Sequence, residues 1–92
     1  MIERDAAVHA FDTLRDRLGA ETPRVTFGPL TLSHHEGHRA HERTGRPVFW
    51  HNARLTGRSD DPAVWRGLYE AVRSEADARE IRVPTLAYWG AA

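Results

Sequence analysis

Apolar side chains recur at steps of three to five between Ile2 and Leu18, with Ile2, Ala7, Phe11, Leu14 and Leu18 near one face. That period predicts an amphipathic helix. Glu3 and Asp5 at its start and Arg15 and Arg17 near its end suit the helix dipole. Gly19 is placed just past the last turn, and Pro23 prevents a restart. A second helix is predicted after Ser59-Asp60-Asp61-Pro62, where Asp61 can cap the free amides and Pro62 sits at the first helical position without losing a needed N–H. Val64 or Trp65, Leu68, Val72 and Ala76 carry its apolar stripe to about Glu80. Opposite charges four apart (Arg66 and Glu70, Arg73 and Asp77, Glu75 and Arg79) reinforce it.

Between the helices the period changes to two. Val25 and Phe27, then Leu30 and Leu32, alternate with polar neighbours, so Arg24 to Ser33 reads as extended. Pro29 has no N–H for a ladder and implies an edge strand, a bulge or a turn. Pro47 to Leu55 reads as a second strand with two alternating sets. Phe49, His51, Ala53 and Leu55 form the more apolar one, which is expected to point inward, leaving Trp50 outward or toward a partner. The stretch between these strands, HHEGHRAHERTGR at 34–46, has no large apolar residue and reads as a polar, His/Arg-rich loop. Ile81 to Ala92 is a third short apolar run, and residues 84–92 read as an extended aromatic tail. The expected fold is a single small two-layer α+β domain in the order α-β-β-α-β. Both helices would pack on one face of a two- or three-stranded, mostly antiparallel sheet.

With 92 residues the chain makes one thin core, which limits the depth of any pocket and makes self-association a way to bury more surface. The formal net charge is zero, so no overall field attracts nucleic acid or an anionic membrane, and neither is an expected partner. There is no cysteine, which removes disulfides, thiolate chemistry and cysteine zinc sites. The charged N-terminus has no signal-peptide pattern and no apolar run approaches a membrane span, so a cytoplasmic place, or one in a virion, is expected. All thirteen basic side chains are Arg, which codon bias toward a GC-rich genome explains.

Four of the six histidines lie in 34–41. Were this stretch helical, His34, His38 and His41, or His38, His41 and Glu42, would share a side and offer a three-ligand site for zinc, nickel or copper. Gly37 opposes that conformation, and the order His-His-Glu-Gly-His does not fit HExxH. No cofactor is required by the rest of the chain. Arg39, Arg43 and Arg46 are candidates to hold a phosphate or carboxylate, or simply a solvated surface. Trp50, Tyr88 and Trp89 are candidate interface anchors.

His34-His35 followed by Asn52 and a helix gives the gross order of a ββα-metal nuclease, but the second helix has no histidine to complete the metal site. Val25 to Ala40, VTFGPLTLSHHEGHRA, resembles a C-terminal stretch of periplasmic amino-acid-binding proteins. The likeness spans under a fifth of a chain too short for their two lobes, and implies neither fold nor ligand here. No nucleophile elbow, phosphate loop or dinucleotide fingerprint occurs. The reading therefore leans away from an enzyme. It favours a non-enzymatic interaction or assembly subunit, either a homo-oligomer or a small component of a bacterial or phage complex. A metal-binding protein or a small His-dependent enzyme is the alternative.

Overall fold

The computed structural model describes residues 1–86. The chain is a small α+β domain of two helices and a three-stranded antiparallel sheet. Helix α1 spans Ile2–Leu18 and a 3-10 turn follows at Gly19–Glu21. Strands β1 (Val25–Phe27), β2 (Leu30–Ala40) and β3 (Pro47–Thr56) come next, and helix α2 (Pro62–Asp77) closes the series. In α2 the Asp61 carboxylate accepts the Ala63 N–H at 2.9 Å, the capping bond its position demands. The helix ends three residues short of Glu80, which itself sits at φ 58° as the chain turns out and the Ile81 N–H bonds back to the Ala76 carbonyl at 2.9 Å.

The order is α-β-β-β-α, because the third strand comes from a different place than expected. Gly28 and Pro29 split the 24–33 segment into a tight hairpin, with Val25 opposite Leu32 and Phe27 opposite Leu30. Gly28 at φ +57° supplies the left-handed first position of a two-residue hairpin turn, and Pro29 needs no N–H at the second. Residues 81–85 add no strand. Ile81 and Val83 are instead buried as coil against the core, and the Tyr69 hydroxyl donates to the Pro84 carbonyl at 2.7 Å. Tyr88 and Trp89, and with them most of the expected tail, lie outside the described residues.

The larger correction concerns 34–46, which is not a loop. Residues 34–40 continue β2, and Pro47 onward pairs with them in a register running without interruption from Thr31 opposite Thr56 to Ala40 opposite Pro47. Only the short turn between is irregular, closed by the His41 N–H on the Arg46 carbonyl at 2.8 Å and the Gly45 N–H on the His41 carbonyl at 2.9 Å. Strand pairing satisfies the backbone without any apolar side chain, so a polar sequence forms strand here.

Both helices cover one face. Val25, Phe27, Leu30, Leu32, His34 and Ala53 share it by alternation, and most of them enter or border the core with Ala6, Ala7, Ala10, Phe11 and Leu14 of α1 and Trp65, Leu68, Tyr69 and Val72 of α2. The expected Trp65 is in that core, 3% exposed, its indole N–H donating to the Ser59 carbonyl at 2.7 Å. Thr26 and Thr31 hydrogen-bond to each other at 3.0 Å on the opposite face.

The two long strands outrun this core. β2 has 11 residues, about 36 Å of strand, but β1 pairs with only its first three. The radius of gyration, 14.9 Å, exceeds the roughly 12 Å of a compact chain of this length.

Gly57 anchors the core end of β3 beside the β1–β2 turn. It lies at φ +91°, and a Cβ there would meet the Pro29 carbonyl oxygen at 1.8 Å. Gly57→Ala is expected to cost about 2 kcal/mol or more, a fall of roughly 10 °C in the thermal midpoint. A melt followed by circular dichroism checks it, and an unchanged midpoint contradicts this packing.

Candidate functional site

The outer part of β2 and β3, residues 36–51, forms a two-stranded ribbon that leaves the core with a charged cluster at its base. On the helix-facing side His34 lies opposite Ala53 and Glu36 opposite His51. The His34 Nε2 is 3.0 Å from a Glu36 carboxylate oxygen, and its ring stacks on that of His51 with centroids 6.0 Å apart. From α1, an Arg15 guanidinium nitrogen lies 3.2 Å from the His51 Nδ1 and donates to the His51 carbonyl at 3.4 Å. Asp12 holds the other end of that guanidinium at 3.4 Å. The His34 side chain is 8% exposed, and its Nδ1 and the Arg15 Nε have no hydrogen-bond partner among the described residues. The chain of groups from Asp12 through Arg15 and His51 to His34 and Glu36 ties the root of the ribbon to α1. It includes no hydroxyl nucleophile, because Ser33 points to the opposite face by alternation.

Further out, the ribbon is held by cross-strand ring contacts. Trp50 lies over Gly37, its directly opposed partner; a Cβ at Gly37 would meet the indole at 2.6 Å. Its ring also packs on His35, with centroids 5.0 Å apart. Trp50 is therefore half-buried on the open face and supports the ribbon from within. On the other side His38 and Phe49 are paired at 5.7 Å, and Phe49 is 75% exposed. Phe49, His51, Ala53 and Leu55 do share the helix-facing side, as their alternation implies. Only Ala53 packs on the core: Phe49 lies on the outer part of the strand, and Leu55, although opposite buried Leu32, stays 40% exposed.

At the tip, Arg39 and Arg43 border a shallow exposed groove with His41, Glu42 and Val48. Arg46 lies on the far side of the turn, exposed and outside that groove. None of the three arginines is ion-paired within the described residues.

The helical geometry supposed for a metal site at His34, His38, His41 and Glu42 is replaced by a strand. Four residues of strand separate His34 from His38 by about 13 Å, against about 6 Å in a helix. His41 and Glu42 lie beyond the end of β2, in the turn. Among the described residues no group of three or more His, Asp or Glu side chains is arranged to hold a metal ion. Nor is any helix among them long and apolar enough to cross a membrane.

No family model matches this chain, and neither a curated protein nor a solved structure was found similar to it. The site is therefore read from its own residues.

Sequence reasoning places His34 and Glu36 together in the 34–46 run and His51 on the following strand, but does not join them to Arg15 and Asp12. The signal for the group was the hairpin. Once Arg43-Thr44 is taken as the turn centre, the register that places Glu36 opposite His51 follows. Arg15 is legible only from how α1 crosses the sheet.

The strand spacing generates a direct expectation. Calorimetric titration with zinc, nickel and copper should give the same weak heats for the native chain and for a His38→Ala, His41→Ala variant. A loss of a stoichiometric heat in the variant would show that these two side chains meet around a metal after all.

Proposed function

We propose that this chain is a non-enzymatic assembly subunit that associates with copies of itself through the β2–β3 ribbon. The observation that carries this reading is the ribbon's extension past the core with Phe49 exposed at its side. A two-stranded ribbon is marginal in water, and pairing or covering it is the usual remedy. Leu55, 40% exposed, continues the apolar strip along the same side of β3. The absence of net charge suits contact between identical surfaces, since like copies carry no overall repulsion. The fold's thin core is consistent with a protein that works by contact. Trp50, held against Gly37, stiffens the ribbon that would make that contact.

Sedimentation velocity on the pure chain, over a concentration series from about 10 µM to 1 mM, tests this. The expected result is reversible growth to twice the 10.4 kDa of one chain. Phe49→Asp should stay monomeric at every concentration with an unchanged far-ultraviolet spectrum. A native chain that sediments as a monomer throughout the series overturns the reading.

A further inference from the structure

The edge of β3 offers more than a general contact surface. The His41 N–H to Arg46 carbonyl bond at the tip sets the phase of the β2–β3 ladder. Hydrogen-bonded pairs alternate along an antiparallel ladder, so Val48, Trp50, Asn52 and Arg54 bond toward β2. Phe49, His51, Ala53 and Leu55 then turn their N–H and C=O groups outward, away from β2. The Arg15 contact to the His51 carbonyl agrees with this phase, since it reaches that oxygen from the α1 side. The carbonyl has a second lone pair for a further donor. This outer edge takes a hydrogen bond from one side chain among the described residues, Arg15. It has no Lys and no bulge, and its proline, Pro47, is at the first position.

We infer that two copies of this chain pair antiparallel along β3, about a two-fold axis at Asn52, to form one continuous six-stranded sheet. This rests on the self-association proposed above and specifies its geometry. A two-fold axis between antiparallel edges must stand perpendicular to the sheet, which keeps like faces together and allows only registers centred on a residue. Those registers differ sharply in what they oppose. Centred on Asn52, Phe49 faces Leu55 of the second copy, and Trp50 faces its Arg54, each contact occurring twice. The exposed apolar side chains thereby cover one another, and the exposed Arg54 guanidinium, which has no ion pair among the described residues, meets an indole. Centred on His51, Phe49 would face only Ala53, and Leu55 only Pro47. Centred on Trp50, Arg54 would face Arg46, two like charges. Centred on Ala53, Phe49 would face Gly57. The Asn52 register alone pairs both exposed apolar side chains of β3, and within Pro47–Thr56 it opposes no like charges.

The absence of native cysteine allows a clean test. In this register the two Asn52 positions form a non-hydrogen-bonded pair with Cα atoms about 4.5 Å apart, within disulfide range. The two Thr56 positions, on the same face, are about 27 Å apart. Under mild oxidation Asn52→Cys should form a covalent dimer at least tenfold faster than Thr56→Cys, both variants being checked for native circular dichroism. As a second readout free of cysteine, Arg54→Glu should weaken the native dimer at least tenfold in sedimentation. If the native chain dimerises but Asn52→Cys links no faster than Thr56→Cys, this register is overturned and self-association stands. If the native chain is a monomer, both fall.

Discussion

Everything distinctive about this structure depends on a mismatch of length. The β2–β3 ladder runs for ten paired positions, while the helices and β1 cover only its inner end. At the covered end Leu30 and Leu32 are fully buried, and the fold has an ordinary two-layer core. Beyond His34, among the described residues, only the Arg15 contact to His51 reaches the strands from the helices. The same strand therefore changes character along its length, from apolar alternation to a run of His, Glu, Gly and Arg. That change in surroundings coincides with the unusual 34–46 composition.

A ribbon without a core beneath it needs other means of staying straight, and the side chains supply them locally. Trp50 fills the space above Gly37, so the one residue without a side chain in the outer strand is covered by the largest one opposite it. His38 and Phe49 pair on the other side. At the root, Arg15 bridges α1 to β3 while Asp12 orients it. These contacts are each modest. Their placement matters more: one set lies outside the core, and the other fixes the angle at which the ribbon departs.

How much of this was legible in the sequence follows from which forces decide each element. α1 was readable to the residue, and α2 at its start, because apolar period and capping act locally. Trp65 was readable as core for the same reason. The 34–46 stretch misled because hydrophobic alternation marks strands that face a core, and these residues face none. Their strand state is fixed by pairing with partners nineteen residues away and less, information that lies in the turn at 41–46 and not in any side-chain pattern. The third strand was misplaced for a related reason. Gly28-Pro29 was read as an interruption of one strand when it is the turn between two, and Ile81 and Val83 are apolar because coil can be buried too. The His cluster looked like a metal site only on a helical spacing, which the strand stretches about twofold.

The same geometry limits how tightly the ribbon can bind. Full burial of a Phe side chain contributes about 1.5–3 kcal/mol, and each hydrogen bond made along a strand edge nets on the order of 1 kcal/mol after water is displaced. Bringing two chains together costs about 4–15 kcal/mol before any contact is counted. A single strand edge with one exposed Phe per copy therefore leaves only a small surplus. Pairing through this surface, as proposed, would be reversible and sensitive to concentration, unlike an obligate dimer whose core is shared. This agrees with the fold itself, in which the core is complete within one chain and the ribbon stands outside it. A ribbon that formed part of a shared core would carry Leu or Ile where this one carries His34, Glu36 and His38. On the proposed pairing, Phe49 and Leu55 would supply the small attraction between copies, and the polar remainder of the ribbon would oppose permanent association.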